Sequence, residues 1–93
     1  MIHEIYKDNK RMLVSLYNWD STENRQKLVR LIQDGITIKC FEPAICDYDV
    51  RIVKVQDENS ITIEITDNTG VQETTMDTVS IKQLEELVFE GGY

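Results

Sequence analysis

The chain has 93 residues with a formal net charge of −7, and 41% of its residues are hydrophobic and 29% charged. This length predicts a single domain over residues 1–93 with one modest core, and only one proline and four glycines argue against a low-complexity chain. The charge is uneven, because residues 1–54 carry +1 and residues 55–93 carry −8. Such an acidic region repels nucleic acid, so direct nucleic-acid binding is disfavoured and a basic protein partner is favoured.

No run of about 18 apolar residues occurs in the sequence, which therefore predicts no membrane span. The opening residues, MIHEIYKDNK, lack the apolar core of a signal peptide, and the two cysteines are Cys40 and Cys46. Without a secretion signal a reducing compartment is the default, and thiols stay free there. We therefore expect a cytoplasmic protein.

The first seventeen residues allow two interpretations. Strands over residues 2–6 and 12–17 would form a hairpin around a turn at Asp8-Asn9. A short helix over residues 2–8 is the alternative, because periodicity over so few positions does not separate helix from strand.

A helix over about residues 21–34 is the clearest helical prediction. Asp20 and Glu23 have the spacing of a capping box, with Ser21 as an alternative cap. The apolar residues at positions 28, 29, 31 and 32 have helical spacing, Glu23 and Lys27 form an i,i+4 pair, and Gly35 follows as a terminator.

The next strand covers residues 36–41, with Ile36, Ile38 and Cys40 on one face. Pro43 ends it, because proline removes a backbone donor and restricts the preceding residue. Residues 43–48 are interpreted as a loop.

A three-stranded meander over residues 49–56, 60–67 and 71–76 is predicted at the centre of the fold. Its middle strand alternates Ile61, Ile63 and Ile65 with Thr and Glu, which is typical of a half-buried antiparallel strand. The first strand changes its apolar phase near Ile52, so it is either buried on both faces or bulged there. Turns are predicted at residues 57–59 and 67–70.

A short helix over residues 81–89 closes the chain, with Ser80 and Gln83 as a second capping box. The sum is an α+β fold of five to six antiparallel strands, one main helix and a short C-terminal helix. We favour an open SH3- or Sm-like barrel over a two-layer sandwich, because short twisted antiparallel strands tend to curl.

Three segments carry a family resemblance: ITIKCF, VRIVKVQDENSITIEITDNTG and TTMDTVSIKQLEEL. Together, over residues 36–87, they resemble the small barrel of YolD-like proteins, and a helix precedes the barrel in both. The resemblance implies a small regulator rather than an enzyme.

No catalytic or metal-binding pattern is evident. Cys40 and Cys46 are too few ligands for a zinc site, and His3 is the only imidazole, close to a terminus that we expect to be flexible. Asp47 with Asp49, or Glu64 with Glu73 across a hairpin, could form carboxylate pairs, but solvated surface charge is the better interpretation. We predict no enzymatic activity, no cofactor and no metal.

The leading functional hypothesis is a small acidic protein-binding module. It would inhibit or regulate a basic, nucleic-acid-binding protein, as phage and mobile-element proteins do. The candidate contact residues are an acidic group and an aromatic pair: Glu64, Asp67, Glu73, Asp77, Trp19 and Tyr17. Two simpler readings stay open, in which Trp19 is a hydrophobic staple for the first helix and the acidic half only provides solubility. The alternative function is a barrel with a regulatory or architectural role that forms homo-oligomers through an exposed sheet edge.

Overall fold

The protein is described by a computed structural model, which covers residues 2–16 and 22–90. In chain order its elements are β1 (Ile2–Lys7), β2 (Lys10–Leu16), α1 (Thr22–Leu31), β3 (Ile36–Glu42), β4 (Cys46–Asp57), β5 (Ser60–Asp67), β6 (Glu73–Val79) and α2 (Ile81–Glu90). The strands form one antiparallel sheet in the order β2-β1-β3-β4-β5-β6. The predicted small antiparallel sheet with two helices is therefore confirmed. In the described part of the chain the sheet is open, with β2 and β6 as its edges.

The N-terminal hairpin is confirmed, and the alternative helix is wrong. Asp8 and Asn9 form the two-residue turn, and both have positive φ, at 52° and 64°. A turn of type I′ requires positive φ at both central positions, which Asp and Asn tolerate better than most residues. Because β1 also pairs with β3, it is an interior strand of the sheet.

Helix α1 ends at Leu31, three residues before the predicted end. The Ile36 N–H bonds to the Gln33 carbonyl at 3.3 Å across a turn in which Gly35 has a φ of 87°. The Gly35 N–H donates to the Ile52 carbonyl of β4 at 2.8 Å. This tertiary hydrogen bond fixes the chain on the sheet at Gly35, so the helix ends before that residue. The ion pair of Glu23 with Lys27 forms at 3.6 Å, as predicted. Asp20 and Ser21 lie outside the described residues.

The β3–β4 connection is shorter than the sequence indicated. Only residues 43–45 form the turn, which closes with the Ile45 N–H donating to the Glu42 carbonyl at 3.0 Å. Ala44 takes the positive φ of 63° that the turn requires. Alanine is not a typical residue for that conformation, so the turn lacks the usual signal and β4 begins at Cys46 rather than near Asp49.

Strand β4 contains the bulge that the apolar pattern suggested. Ile52 lies opposite Ile63 and Lys54 lies opposite Thr62, so Val53 is an extra residue on β4. The inward phase then changes, and Val55 lies opposite the buried Ile61.

The last strand is shifted from its predicted position. It runs over Glu73–Val79 instead of residues 71–76, and Val71 is 85% exposed in the preceding loop. The Asn68 N–H donates to the Asp47 carbonyl on β4 at 2.8 Å, which diverts the chain before it can pair again with β5.

Helix α2 begins with the predicted capping box. The Ser80 N–H donates to Gln83 Oε1 at 2.9 Å, and the Gln83 N–H donates to Ser80 Oγ at 3.2 Å. Together these bonds satisfy two donors at the start of the helix. The helix runs over Ile81–Glu90, one residue beyond the prediction.

Both helices pack on one face of the sheet. Leu28 of α1 and Leu84, Leu87 and Val88 of α2 join one buried cluster with the inward residues of the strands, which are Ile5, Ile36, Ile38, Cys40, Val50, Ile52, Ile61, Ile63 and Val79. We call this the helix-bearing face. The opposite face carries no helix in the described part of the chain. Neither described helix is long and apolar enough to cross a membrane.

Candidate functional site

One end of the sheet is strongly acidic. We define the acidic end as residues 41–49, which contain the β3–β4 turn, and residues 66–74, which contain the β5–β6 turn. These two segments carry five carboxylates and neither lysine nor arginine; the carboxylates are Glu42, Asp47, Asp49, Asp67 and Glu73. The segments are adjacent, because Tyr48 lies opposite Asp67 and Asp49 lies opposite Thr66. Asp67 and Glu73 lie on the helix-bearing face, and Asp47 and Asp49 lie on the other face, where Lys39 is directly opposite Asp49. The negative potential is therefore distributed over both faces of this sheet end, and Lys39 offsets part of it.

Hydrogen bonds hold the two segments together. In addition to the backbone bond to Asp47, the Asn68 Nδ2 donates to Asp47 Oδ1 at 3.2 Å. The Gln72 Nε2 donates to Asn68 Oδ1 at 2.9 Å, which extends the chain of bonds across the β5–β6 loop. The loop is thus anchored to β4, and the acidic end is a preformed surface.

Asp67 has an environment that favours its ionised form. Its Oδ1 accepts hydrogen bonds from the Thr69 hydroxyl at 2.5 Å and from the Thr69 N–H at 2.9 Å. These bonds, with the hydroxyl contributing most, hold the pKa of the Asp67 carboxyl below its usual value. The carboxylate therefore keeps its charge into mildly acidic conditions.

Exposed apolar side chains accompany the carboxylates. Phe41 is 40% exposed, Ile45 72% and Val71 85%, and all three lie at the acidic end. Three shallow depressions of about 600, 470 and 230 Å³ meet here, and Asp47 lines each of them. Phe41 lines the two larger ones and Ile45 the two smaller ones. Apolar anchors beside charged groups are the usual composition of a protein-binding surface.

The four predicted acidic contact residues do not form a single patch. Asp67 and Glu73 lie directly opposite each other, and Asp77 lies opposite Ile63, so these three belong to the helix-bearing face. Glu64 lies opposite Met76 on the other face, where its Oε2 is 3.7 Å from Arg51 Nη2. The pairing of Glu64 with Glu73 that the sequence allowed does not form, because the longer β5–β6 turn changes the register, and this agrees with the preferred interpretation of solvated surface charge. Tyr17 and Trp19 lie outside the described residues.

Sequence reasoning did not assign the apolar part of this surface. Phe41 has the opposite phase to Ile36, Ile38 and Cys40, which is a signal that it faces away from the core. The tight turn at residues 43–45, which lacks glycine and asparagine, concealed the exposure of Ile45. Asp47 and Asp49 have the spacing of a carboxylate pair in the sequence, and in the structure they line an open depression together with Lys39.

The histidine and the first cysteine have structural positions. His3 is buried on β1, contrary to the expected flexible terminus, and lies opposite Cys40, which in turn lies opposite Tyr48. The His3 Nε2 donates to the Val88 carbonyl and the Tyr48 hydroxyl to the Leu87 carbonyl, both at 2.7 Å. These bonds satisfy carbonyls in the last turn of α2, which have no partner within the helix.

The thiol of Cys40 is unsuited to nucleophilic chemistry. Burial raises its pKa to about 12, so it stays protonated at neutral pH. Burial also raises the pKa of the Tyr48 hydroxyl. Both cysteines are free, and over residues 2–16 and 22–90 no three His, Cys, Asp or Glu side chains are grouped to hold a metal ion.

Comparison with known proteins yields no relative. No family model matches the chain, and no curated protein or solved structure matches it.

Proposed function

We propose that this protein is a small, non-enzymatic binding module that engages a basic protein through its acidic end. The observation that carries the proposal is the grouping of five carboxylates with Phe41, Ile45 and Val71 at one end of the sheet. The two segments contain no lysine or arginine, and the carboxylates outnumber Lys39, which lies opposite Asp49 on the neighbouring strand. In its more specific form, the protein inhibits or regulates a nucleic-acid-binding protein by occupying its basic surface. The family resemblance to YolD-like regulators and the expected cytoplasmic location are compatible with this role.

The two components of the surface have different physical roles. Carboxylates accelerate the encounter with a basic partner and disfavour acidic competitors, although they contribute modestly to affinity when they stay solvated. Apolar anchors supply most of the affinity once they are covered. A preformed loop lowers the conformational entropy lost on binding. Binding should therefore be salt-sensitive in its association rate and anchor-dependent in its affinity.

The test begins with capture of basic proteins from host lysate and continues with a purified candidate. The dissociation constant is measured by fluorescence anisotropy at increasing salt for the wild type and for the double variant Asp47→Asn/Asp49→Asn. We expect steep weakening with salt and a loss of about tenfold in the variant, equivalent to ~1.4 kcal/mol.

The matched control is Asp57→Asn/Glu58→Gln, which removes the same charge from the β4–β5 turn at the opposite end of the sheet. It should bind as the wild type does. An affinity that is unchanged by salt, or equal losses in both variants, would contradict a specific acidic surface. For the inhibitory form, the protein should also displace DNA from the captured partner.

A second candidate function is self-association into a regulatory or architectural assembly. The observation that favours it is the open sheet with β2 and β6 as edges, because exposed edges can pair with another chain. An open SH3- or Sm-like barrel, in which β2 and β6 stay unpaired within one chain, belongs to this proposal. Light scattering that gives a monomer mass at high protein concentration would remove it.

A further inference from the structure

The outermost strand, β6, is an open and regular edge. It pairs with β5 through seven consecutive residue pairs without a register shift. Its residues 73–78 are all exposed, and only Val79 is buried. In the described part of the chain no other strand pairs with β6, so half of its backbone donors and acceptors face outward.

This edge lacks most devices that protect natural edge strands. Over Glu73–Val79 there is no proline, no lysine and no bulge, and three of the seven residues are threonine, which favours strand conformation. The exception is a pair of charges, Glu73 and Asp77, on the helix-bearing face.

The two carboxylates disfavour pairing with a second copy of the same strand. An antiparallel β6–β6 pair centred on Thr75 would place Glu73 directly opposite Asp77, twice. A pair centred on Met76 would make the same carboxylates diagonal neighbours. Like charges at these positions destabilise a strand pair. Pairing of β6 with the β6 strand of a second copy is therefore disfavoured.

The same charges favour a basic strand. We propose that β6 is the docking edge for an extended basic segment of the partner, which adds to the sheet as a seventh strand. This inference rests on the proposed function and specifies its binding mode. Lysine or arginine at alternate positions of the segment would meet Glu73 and Asp77, with Asp67 one strand behind. The intervening side chains would cover Met76, which is 58% exposed on the opposite face.

Strand addition makes the backbone part of the recognition, which a purely electrostatic contact does not. The probe is therefore a nine-residue synthetic peptide with lysine at alternate positions and valine or threonine between them. Two further peptides carry N-methyl groups, one on every lysine amide and one on the intervening amides. Each removes the donors along one edge of the peptide and leaves its charge unchanged.

Binding is measured by fluorescence anisotropy, and the amides of the protein are followed by hydrogen exchange. We expect one of the two N-methylated peptides to lose about tenfold or more in affinity while the other binds as the parent does. Amides of β6 should become protected by a similar factor. Glu73→Gln/Asp77→Asn should weaken the parent peptide, whereas the control Asp57→Asn/Glu58→Gln should not. Unfolding midpoints verify that both variants are folded.

The alternative outcomes separate this inference from the proposed function. Equal affinity of both N-methylated peptides, or protection confined to residues 41–49 together with a loss in Asp47→Asn/Asp49→Asn alone, would overturn strand addition and leave the acidic end as the binding surface. If the β6 amides become protected from hydrogen exchange by a second copy of the chain, without peptide, the claim that β6 disfavours pairing with itself would be overturned. If neither the peptides nor basic proteins bind, both proposals are wrong.

Discussion

Strands β5 and β6 are neighbours in one sheet with an unbroken register, yet their environments are opposite. In β5, Ile61 and Ile63 are completely buried, whereas in β6 only Val79 is buried. Both strands are rich in β-branched residues, so intrinsic strand preference does not explain the difference. The helices explain the difference in burial. Their buried residues pack with inward side chains of β1, β3, β4 and β5, but only with the last residue of β6. We call the strands β1, β3, β4 and β5 with the helices that cover them the sealed region, which contains the core. We call β6 and the β5–β6 turn the open region, because residues 71–78 are exposed there.

The largest expected effect is a core truncation in the sealed region. Ile63→Ala should lower the free energy of unfolding by about 2–5 kcal/mol, because it leaves a cavity among tightly packed side chains. Met76→Ala, one strand away, should change it by less than about 0.5 kcal/mol, since that side chain is exposed. Urea unfolding measures both. A cost below about 1 kcal/mol for Ile63→Ala would mean that β5 does not carry the core.

A smaller effect is expected where α2 is fixed to the sheet. Tyr48→Phe removes the donor to the Leu87 carbonyl and should cost about 1–2 kcal/mol, because a half-buried acceptor loses its partner. The control is Tyr6→Phe, whose partly buried hydroxyl bonds to Glu4 two residues away on the same strand; because that bond joins no two elements, its cost should be smaller. Equal costs for the two variants would show that Tyr48 does not hold the helix in place.

The start of α2 should contribute about 1 kcal/mol. Ser80→Ala removes the side-chain acceptor of the capping box, and Gln83→Ala removes the reciprocal bond. Because the two side chains form one unit, the cost of the double variant should be smaller than the sum of the single costs. Additive losses in a double-mutant cycle would indicate that the two bonds act independently.

Local chemistry allowed the sequence to predict much of the sealed region. Strand β5 has its predicted bounds, since alternating isoleucines lie between two polar turns. The Ser80–Gln83 box is equally local and formed as predicted. The Asp8-Asn9 turn is local too, although the sequence left a helix over residues 2–8 as the alternative to it. The change of apolar phase near Ile52 reduced the alternatives to burial on both faces or a bulge, and the structure has the bulge.

The open region was harder to predict, because its geometry depends on contacts between distant segments. The bond from the Asn68 N–H to the Asp47 carbonyl determines where β6 begins. The first residue of β6 sets the register with β5, in which Glu73 lies opposite Asp67 and Met76 lies opposite Glu64. A displacement of one residue in the turn would reverse every one of these assignments. The sequence therefore indicated an acidic surface but not which carboxylates share a face.

The smallest expected effect lies at Asp67, where β5 leaves the sealed region and the chain turns toward β6. The pKa of this carboxyl is lowered in the folded protein by its hydrogen bonds from Thr69. Above the unfolded value of about 3.9 the group is charged in both states, so its full contribution to stability is present at neutral pH. As the pH falls through the folded pKa, the carboxylate is protonated and the contribution is lost. Asp67→Asn should therefore be slightly less stable than the wild type at pH 7, and the difference should shrink toward pH 2.

Urea unfolding midpoints of the wild type and the variant at these two pH values test this prediction. Asp57→Asn, in the β4–β5 turn, is the control variant. A stability difference between the wild type and Asp67→Asn that stays constant with pH would contradict this prediction. It would mean that the hydrogen bonds from Thr69 stabilise the turn equally well whether or not residue 67 is charged.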